Sequence, residues 1–339
     1  MPIKGRYILD RQIADFMIFL KEQNDITAID INSDLELDYG SFSLSGIRIE
    51  SKGFIYPAAL GFDVGCGVGV FRMQNFTSEK LEKLKLSSKS IFGIRRKRTN
   101  AEISKEENQL SEFQEAMNRT YYGEIEKGNH FLEIQKNNSD EYFIIVHSGL
   151  PKRLKEKFEI IFIDFYHKYA KTNQDGCNGY IVKVPSEGED GKIFFKVCEK
   201  ANEWCKNNRN YIATAIGKTM GCGMDCFSDT SHEFLLDCDG IMVHSNGVQK
   251  LMSHKGIKKG IIISGGGCNN YLVYGKKDCS FINHGTRMKK RTSDGKRIYG
   301  EVEELTGNPD FSKKLEIADI LTPILNCKRV GREYEYTIF

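Results

Sequence analysis

The sequence lacks several features that would assign it to a specialised class of protein. It contains no apolar run of about 18 residues, so no segment predicts a transmembrane helix. The first ten residues, MPIKGRYILD, do not resemble a signal peptide. Only six prolines occur in 339 residues, and there is neither an internal repeat nor a low-complexity linker. With 49 basic and 46 acidic residues, the net charge of +3 does not by itself require a nucleic-acid partner.

The ten cysteines are spread irregularly through a chain that is too large to need disulfide bonds for its stability. This usage predicts a reducing, cytoplasmic location in which thiols are available as metal ligands. Cys222 and Cys226 lie four residues apart without a second pair, so we interpret them as structural.

Helical and strand patterns alternate irregularly along the chain. Apolar residues at Ile13, Phe16, Met17 and Leu20 form one helical face. The patterns predict a short helix beginning at 77 and helices over 10–23, 101–119, 152–172, 192–217 and near 310–322. They predict strands over 41–50, 68–73, 142–146 and 333–339, with strand pairs within 234–244 and 261–275. We therefore expect an α+β fold, with mixed β-sheets flanked by helices in a single domain over residues 1–339.

The stretch GFDVGCGVG, residues 61–69, places Asp63 and Cys66 three residues apart among four glycines. Glycine permits backbone conformations with positive φ and close packing, so the two side chains can point into one pocket. A carboxylate and a thiolate together are half of a metal site. The alternative is a turn that contains a buried structural cysteine.

Three later stretches contain histidines in a recognisable order: His130 in KGNHFLEI, His147 in FIIVHSGL and His284 in SFINHGTR. With GFDVGCGVG, they resemble the ordered motifs of the RNA-splicing ligase RtcB family, from about Lys52 to Arg329. The chain looks like a short and divergent member, since LDYGSFSLSG lacks the histidine of the corresponding family loop.

The resemblance implies two Mn²⁺ ions that share one thiolate. One ion would take Asp63, Cys66 and His130, and the other Cys66, His147 and a later histidine. Ligand softness alone favours Zn²⁺ or Co²⁺. The later ligand precedes an asparagine in the family, whereas here the order is His244-Ser245-Asn246. His244 is the predicted ligand, and the alternative is a hydrogen-bonded His244 with only one firm metal site.

The resemblance makes His284 the catalytic residue that attacks GTP to form a histidine–GMP intermediate. A neutral imidazole is the major form at pH 7, as such an attack requires. The alternative is a surface histidine in a basic turn. The residues expected to bind the nucleotide are Asn129, Asn246, Gly265, Gly266, Gly267, His284, Arg287 and Lys328. For Lys328 the alternative is an ordinary solvated lysine.

The implied function is GTP-dependent ligation of RNA 3′-phosphate or 2′,3′-cyclic phosphate ends to 5′-hydroxyl ends, in tRNA splicing or RNA repair. The partners are then RNA ends, GTP and, as a further candidate, an archease-type activator. A basic run from Lys83 to Arg98 is either a solvated face or a phosphate-contacting patch. The alternatives are a binding protein that has lost ligation and a phosphodiesterase that opens cyclic phosphates.

Overall fold

The computed structural model describes residues 11–37, 43–83, 110–170, 182–264, 267–276, 279–283, 287–291, 297–300, 314–330 and 333–338. Its helices are α1 Arg11–Glu22, α2 Leu110–Asn118, α3 Lys152–Ala170 and α4 Glu189–Met220, with a 3₁₀ turn at Pro57–Ala59 and helical residues at 78–83. Its first strands are β1 Ile26–Leu37, β2 Leu44–Lys52, β3 Phe54–Ile55, β4 Gly67–Gln74, β5 Phe131–Lys136, β6 Tyr142–Ser148, β7 Val184–Pro185, β8 Gly223–Ser231, β9 Glu233–Cys238 and β10 Ile241–Asn246. The later ones are β11 Val248–Lys250, β12 Met252–His254, β13 Ile257–Ile262, β14 Asn270–Gly275, β15 Phe281–Asn283, β16 Arg287–Arg291, β17 Arg297–Gly300, β18 Leu315–Val330 and β19 Glu333–Ile338.

The strands form two main antiparallel sheets. The larger has the order β12-β13-β14-β18-β5-β6-β4-β8, and β19 also pairs with β18. The smaller has the order β1-β2-β10-β9. Two-stranded pairs join β11 to β15, β16 to β17 and β3 to β7. This confirms the predicted α+β class and mixture of sheets with helices, while the single RtcB-like domain stays a prediction.

Helix α4 is the longest helix in the described part of the chain. Acidic Glu189 and Asp190 lie in its first turn and basic Lys218 in its last, as the helix dipole favours. It ends at Gly221, which adopts the left-handed conformation with φ 59°. Its buried face repeats every three to four residues and packs against the sheets and α3, and it includes Phe194, Val197, Cys198, Ala201, Trp204, Cys205, Arg209, Ile212 and Ile216. The helix thereby positions buried side chains directly beneath the 61–69 stretch.

The helices predicted over 10–23, 152–172 and 192–217 are confirmed, and so are the strand pairs within 234–244 and 261–275. The helix predicted near 310–322 is wrong, because Leu315–Val330 is strand β18. This strand pairs with β14, β5 and β19 along its length, and a register shift accommodates Pro323. Long-range pairing has overridden a weak local helical pattern.

None of the helices that the structure describes is both long enough and apolar enough to pass through a membrane.

Candidate metal centre

The turn over residues 61–66 joins the 3₁₀ turn to strand β4 and holds Asp63 and Cys66 on one side. The Cys66 N–H donates to the Asp63 carbonyl at 2.7 Å, and the Gly65 N–H donates to the Glu233 carbonyl at 2.7 Å. Gly65 has φ +96°, and a Cβ there would lie 2.8 Å from Cys205 Sγ on α4. Only glycine meets both conditions, so the turn is fixed by its neighbours.

Three adjacent elements of the larger sheet place one thiol and two imidazoles together. Strand β6 lies between β5 and β4, and the register pairs His147 with both Phe131 and Val68. His130 directly precedes β5, and Cys66 directly precedes β4. As a result, Cys66 Sγ lies 3.2 Å from His130 Nε2 and 3.4 Å from His147 Nε2. All three residues are buried, and their ligand atoms lie within 4.8 Å of one another.

The Asp63 carboxylate lies beside this group, where one hydrogen bond holds it and two basic side chains lie near it. Its Oδ1 accepts a hydrogen bond from the Leu150 N–H at 2.6 Å. Its Oδ2 lies 3.5 Å from His130 Nε2 and 3.6 Å from Lys155 Nζ. A Cβ on Gly149 would overlap this carboxylate, so the glycine gives it room. The four metal ligands predicted from the GFDVGCGVG, GNHF and HSG stretches are thus neighbours in space.

Burial favours the neutral forms of the Cys66 thiol and the His130 imidazole, and a bound cation would favour the Cys66 thiolate instead. Burial raises the pKa of the Cys66 thiol, and the Asp63 and Glu233 carboxylates raise it further. Burial also lowers the pKa of His130, against the pull of Asp63. Burial lowers the pKa of Lys155, but the Asp63, Glu233 and Cys66 charges outweigh it and raise the value to about 12. A neutral imidazole is ready to bind a metal, and a bound cation would supply the charge that the thiolate lacks.

The orientation of His147 fits a metal ligand. Its Nδ1 lies 3.1 Å from the Asn129 carbonyl oxygen. A carbonyl oxygen only accepts, so this contact requires a proton on Nδ1. The Nε2 lone pair of the neutral ring then points to Cys66, the arrangement that metal-binding histidines use. The donor set of one thiol, two imidazoles and a carboxylate therefore fits a divalent transition-metal ion.

His232 and Glu233 form a second group with the same cysteine. Their ligand atoms and Cys66 Sγ lie within 4.8 Å of one another. The His147 and His232 rings are 5.2 Å apart between centroids. Neither residue was predicted from the sequence as a ligand. A His-Glu pair immediately before the strand predicted from Phe234 was the available signal.

His244 does not join either group among the residues that the structure describes. It is fully buried in β10, where its Nε2 accepts a hydrogen bond from the Tyr56 N–H at 2.9 Å. Burial lowers its pKa to about 3. The structure thus differs from the expected ligand position, because the sheet pairing of β10 with β2 directs this imidazole to the backbone before the 3₁₀ turn.

The predicted nucleotide-binding residues lie in different places. Asn129 is exposed at the start of GNHF, and the Asn246 amide lies close to Gly61 and Glu233. The Gly267 N–H donates to the carboxylate of Glu133, a fully buried residue of β5. His284, Gly265 and Gly266 lie outside the described residues, as do the side chains of Arg287 and Lys328 and most of the basic run 83–98.

No family model matches the chain. The chain is similar to the RNA-splicing ligase RtcB of Escherichia coli K12, with 22% identity over 332 residues that cover 84% of this chain and 80% of the relative. RNA-splicing ligase RtcB1 from another E. coli strain gives 22% identity over 334 residues, with the same coverage. RNA-splicing ligase RtcB2 from that strain gives 26% identity over 211 residues, 57% of this chain and 50% of the relative.

Proposed function

We propose that this chain, a divergent relative of the RtcB RNA-splicing ligases, is an RNA ligase that uses GTP to join an RNA 3′-phosphate or 2′,3′-cyclic phosphate end to a 5′-hydroxyl end. The observation that carries the proposal is the buried cluster of Cys66, His130 and His147 with Asp63 beside it. Those side chains come from stretches in the same order as the ligase motifs. The proposed role lies in tRNA splicing or RNA repair.

Divalent cations, Mn²⁺ by the resemblance, would supply the positive charge that orients and neutralises phosphoryl groups. Asp63, Cys66 and His130 would hold one ion, and Cys66 and His147 would contribute to a second. Two hydrogen bonds would hold these ligands in position before a cation binds. The Leu150 N–H fixes Asp63, and the Asn129 carbonyl fixes the His147 ring.

The nucleophile in the proposal is His284, whose neutral imidazole would attack the α-phosphorus of GTP and release pyrophosphate. The RNA 3′-phosphate would then take the GMP from His284. The 5′-hydroxyl would attack the activated phosphorus, form the phosphodiester and release GMP. A cyclic end must first add water to open to the 3′-phosphate. The proposed nucleotide contacts are Asn129, Asn246, Gly265, Gly266, Gly267, Arg287 and Lys328.

The test is covalent labelling with α-labelled GTP and Mn²⁺. The wild-type chain should retain one GMP after denaturation, and the phosphoramidate bond should be labile in acid and persist in alkali. His284→Ala should form no adduct but should bind metal normally, because the ligands lie elsewhere. It should also seal RNA whose 3′ end already carries GMP. His254→Ala removes an exposed histidine of β12 and serves as the matched control.

An adduct on Lys328, or full GTP-dependent ligation by His284→Ala, would refute the assignment of the nucleophile. A wild-type chain that binds Mn²⁺ and RNA ends but forms no adduct would instead favour the binding-protein function. Conversion of a 2′,3′-cyclic end to a 3′-phosphate without sealing would favour the phosphodiesterase.

A further inference from the structure

We infer that His232 and Glu233 complete, with Cys66 and His147, the site of a second divalent transition-metal ion, with His232 supplying the ligand that the His244-Ser245-Asn246 segment does not supply. The inference rests on the metal centre of the proposed function and assigns residues beyond it. It begins from the group of three ligand atoms that lie within 4.8 Å of one another around Cys66 Sγ.

The backbone of His232 is fixed on both sides. Its N–H donates to the Cys66 carbonyl at 2.9 Å. Its own carbonyl accepts from the Gly247 N–H at 2.8 Å and from Ser245 Oγ at 3.2 Å. His232 therefore joins the Cys66 turn to the end of β10, and its side chain is almost fully buried. A ligand held in this way is preorganised for binding.

Ser245 occupies the position that aligns with the expected ligand, but its hydroxyl is already engaged. The side chain is fully buried and donates to the Val248 carbonyl at 2.6 Å, or to the His232 carbonyl. Its oxygen also accepts from the Val248 N–H at 3.2 Å. A serine in this arrangement supports the neighbouring His232 backbone rather than a cation. The imidazole is supplied from the segment that leads into the adjacent strand β9.

The backbone of the turn over residues 61–66 also holds the Glu233 carboxylate near Cys66. Its Oε2 accepts a hydrogen bond from the Asp63 N–H at 3.1 Å. A Cβ on Gly61 would overlap this carboxylate, so the glycine is what allows the approach. The position of Glu233 thus depends on the same turn that places Cys66.

The electrostatics of the site also favour a second cation. Asp63, Cys66 and Glu233 are three potential anions close together, and besides burial the Asp63 and Glu233 carboxylates both raise the pKa of the Cys66 thiol. Buried charges in proteins are normally paired or bound to metals. The mixed set of thiolate, imidazole and carboxylate suits a first-row divalent ion such as Co²⁺, Zn²⁺ or Mn²⁺.

The test measures binding of Mn²⁺ and of Co²⁺ by the chelator-treated full chain, using equilibrium dialysis with elemental analysis. The wild type should bind two ions. His232→Ala and Glu233→Gln should each weaken the second binding step by more than about 100-fold, beyond the 10–100-fold typical of lost outer-shell partners, and should keep the first. Absorption of the thiolate–Co²⁺ complex should show one ion still bound to Cys66. His244→Ala and the exposed His254→Ala should both bind two ions.

Two ions with wild-type affinity in His232→Ala would overturn the inference, and so would loss of the second ion only in His244→Ala. If His232→Ala loses both ions together with its native circular dichroism, Glu233→Gln decides, and normal binding by that variant refutes the site. A wild type that binds a single ion also refutes the second site. The proposed ligase function is tested separately, by the GMP-adduct assay.

Discussion

Arg209 Nε donates to Asp229 Oδ1 at 2.7 Å, in a pair whose arginine is completely buried. The same guanidinium donates from Nη1 to the carbonyls of Gly65 at 2.9 Å and Ser148 at 3.0 Å. Helix α4 thereby holds the turn before Cys66 and the end of β6 after His147. The positive charge also acts to lower the pKa of the Cys66 thiol.

Arg209→Met should destabilise the fold by roughly 3–5 kcal/mol, because it leaves the Asp229 charge without its buried partner and removes a donor from two carbonyls. Urea unfolding of the metal-free chain measures the change. Arg72→Met is the matched control. That arginine pairs with Glu141 and Asp225 on the exposed side of β4, so its loss should cost less than about 1 kcal/mol. Equal losses in the two variants would contradict the role given to Arg209.

Cys66→Ala should remove both ions, because its thiolate is the one ligand that the two groups share. Cys66→Ser should bind metal nearly as poorly, since a neutral hydroxyl is a much weaker ligand than a thiolate. Elemental analysis after dialysis measures this, and Cys226→Ser, which changes an exposed cysteine, should bind normally. Two Mn²⁺ per chain in Cys66→Ala would rule out the shared thiolate.

His244 should make the fold less stable in acid. Burial lowers its pKa to about 3, whereas the unfolded chain titrates near 6.5. The unfolded state therefore binds the extra proton, and stability falls as the pH drops from about 6.5 towards 3. At about 1.4 kcal/mol per pKa unit, the loss reaches at most about 5 kcal/mol. His244→Gln should flatten this part of the stability curve without metal, and His254→Gln should leave it unchanged.

Glu126 should make the stability of the fold change with pH in the opposite direction. Burial, with a contribution from the nearby Glu124, raises its pKa to about 7 from the usual 4.5. The folded state keeps the proton over that range while the unfolded state has lost it, so stability falls as the pH rises from about 4.5 to 7. Glu126→Gln should be more stable than the wild type at pH 8 and should lack this slope. The exposed Glu156→Gln should behave as the wild type.

The sequence was informative where local pattern and chemistry coincide. The glycine spacing around Asp63 and Cys66 predicts a turn that presents both side chains, and the periodicity over 192–217 predicts most of α4. The positions of His130 and His147 followed from the motif order, and the pairing of β5 with β6 explains why they meet.

The rest depended on contacts between distant parts of the chain. His232 meets Cys66 through a backbone hydrogen bond across 166 positions, and no periodicity carries that information. The same is true of the first half of β18, up to about residue 322, which looks helical locally but is extended because the strand pairs with β14, β5 and β19. The burial of Arg209 likewise depends on partners from distant segments, Asp229 and the Gly65 carbonyl, which the sequence of its own helix does not reveal.

The glycines of the 61–69 stretch have a consequence for protein engineering. Three of the four mark a place taken by another element: Gly61 by Glu233, Gly65 by Cys205, and Gly67 by the backbone of Thr230. The conformation of the turn therefore depends on contacts with α4, β8 and the start of β9 as much as on its own nine residues. It is not a portable metal-binding peptide, and a graft into another scaffold has to bring those three neighbours with it.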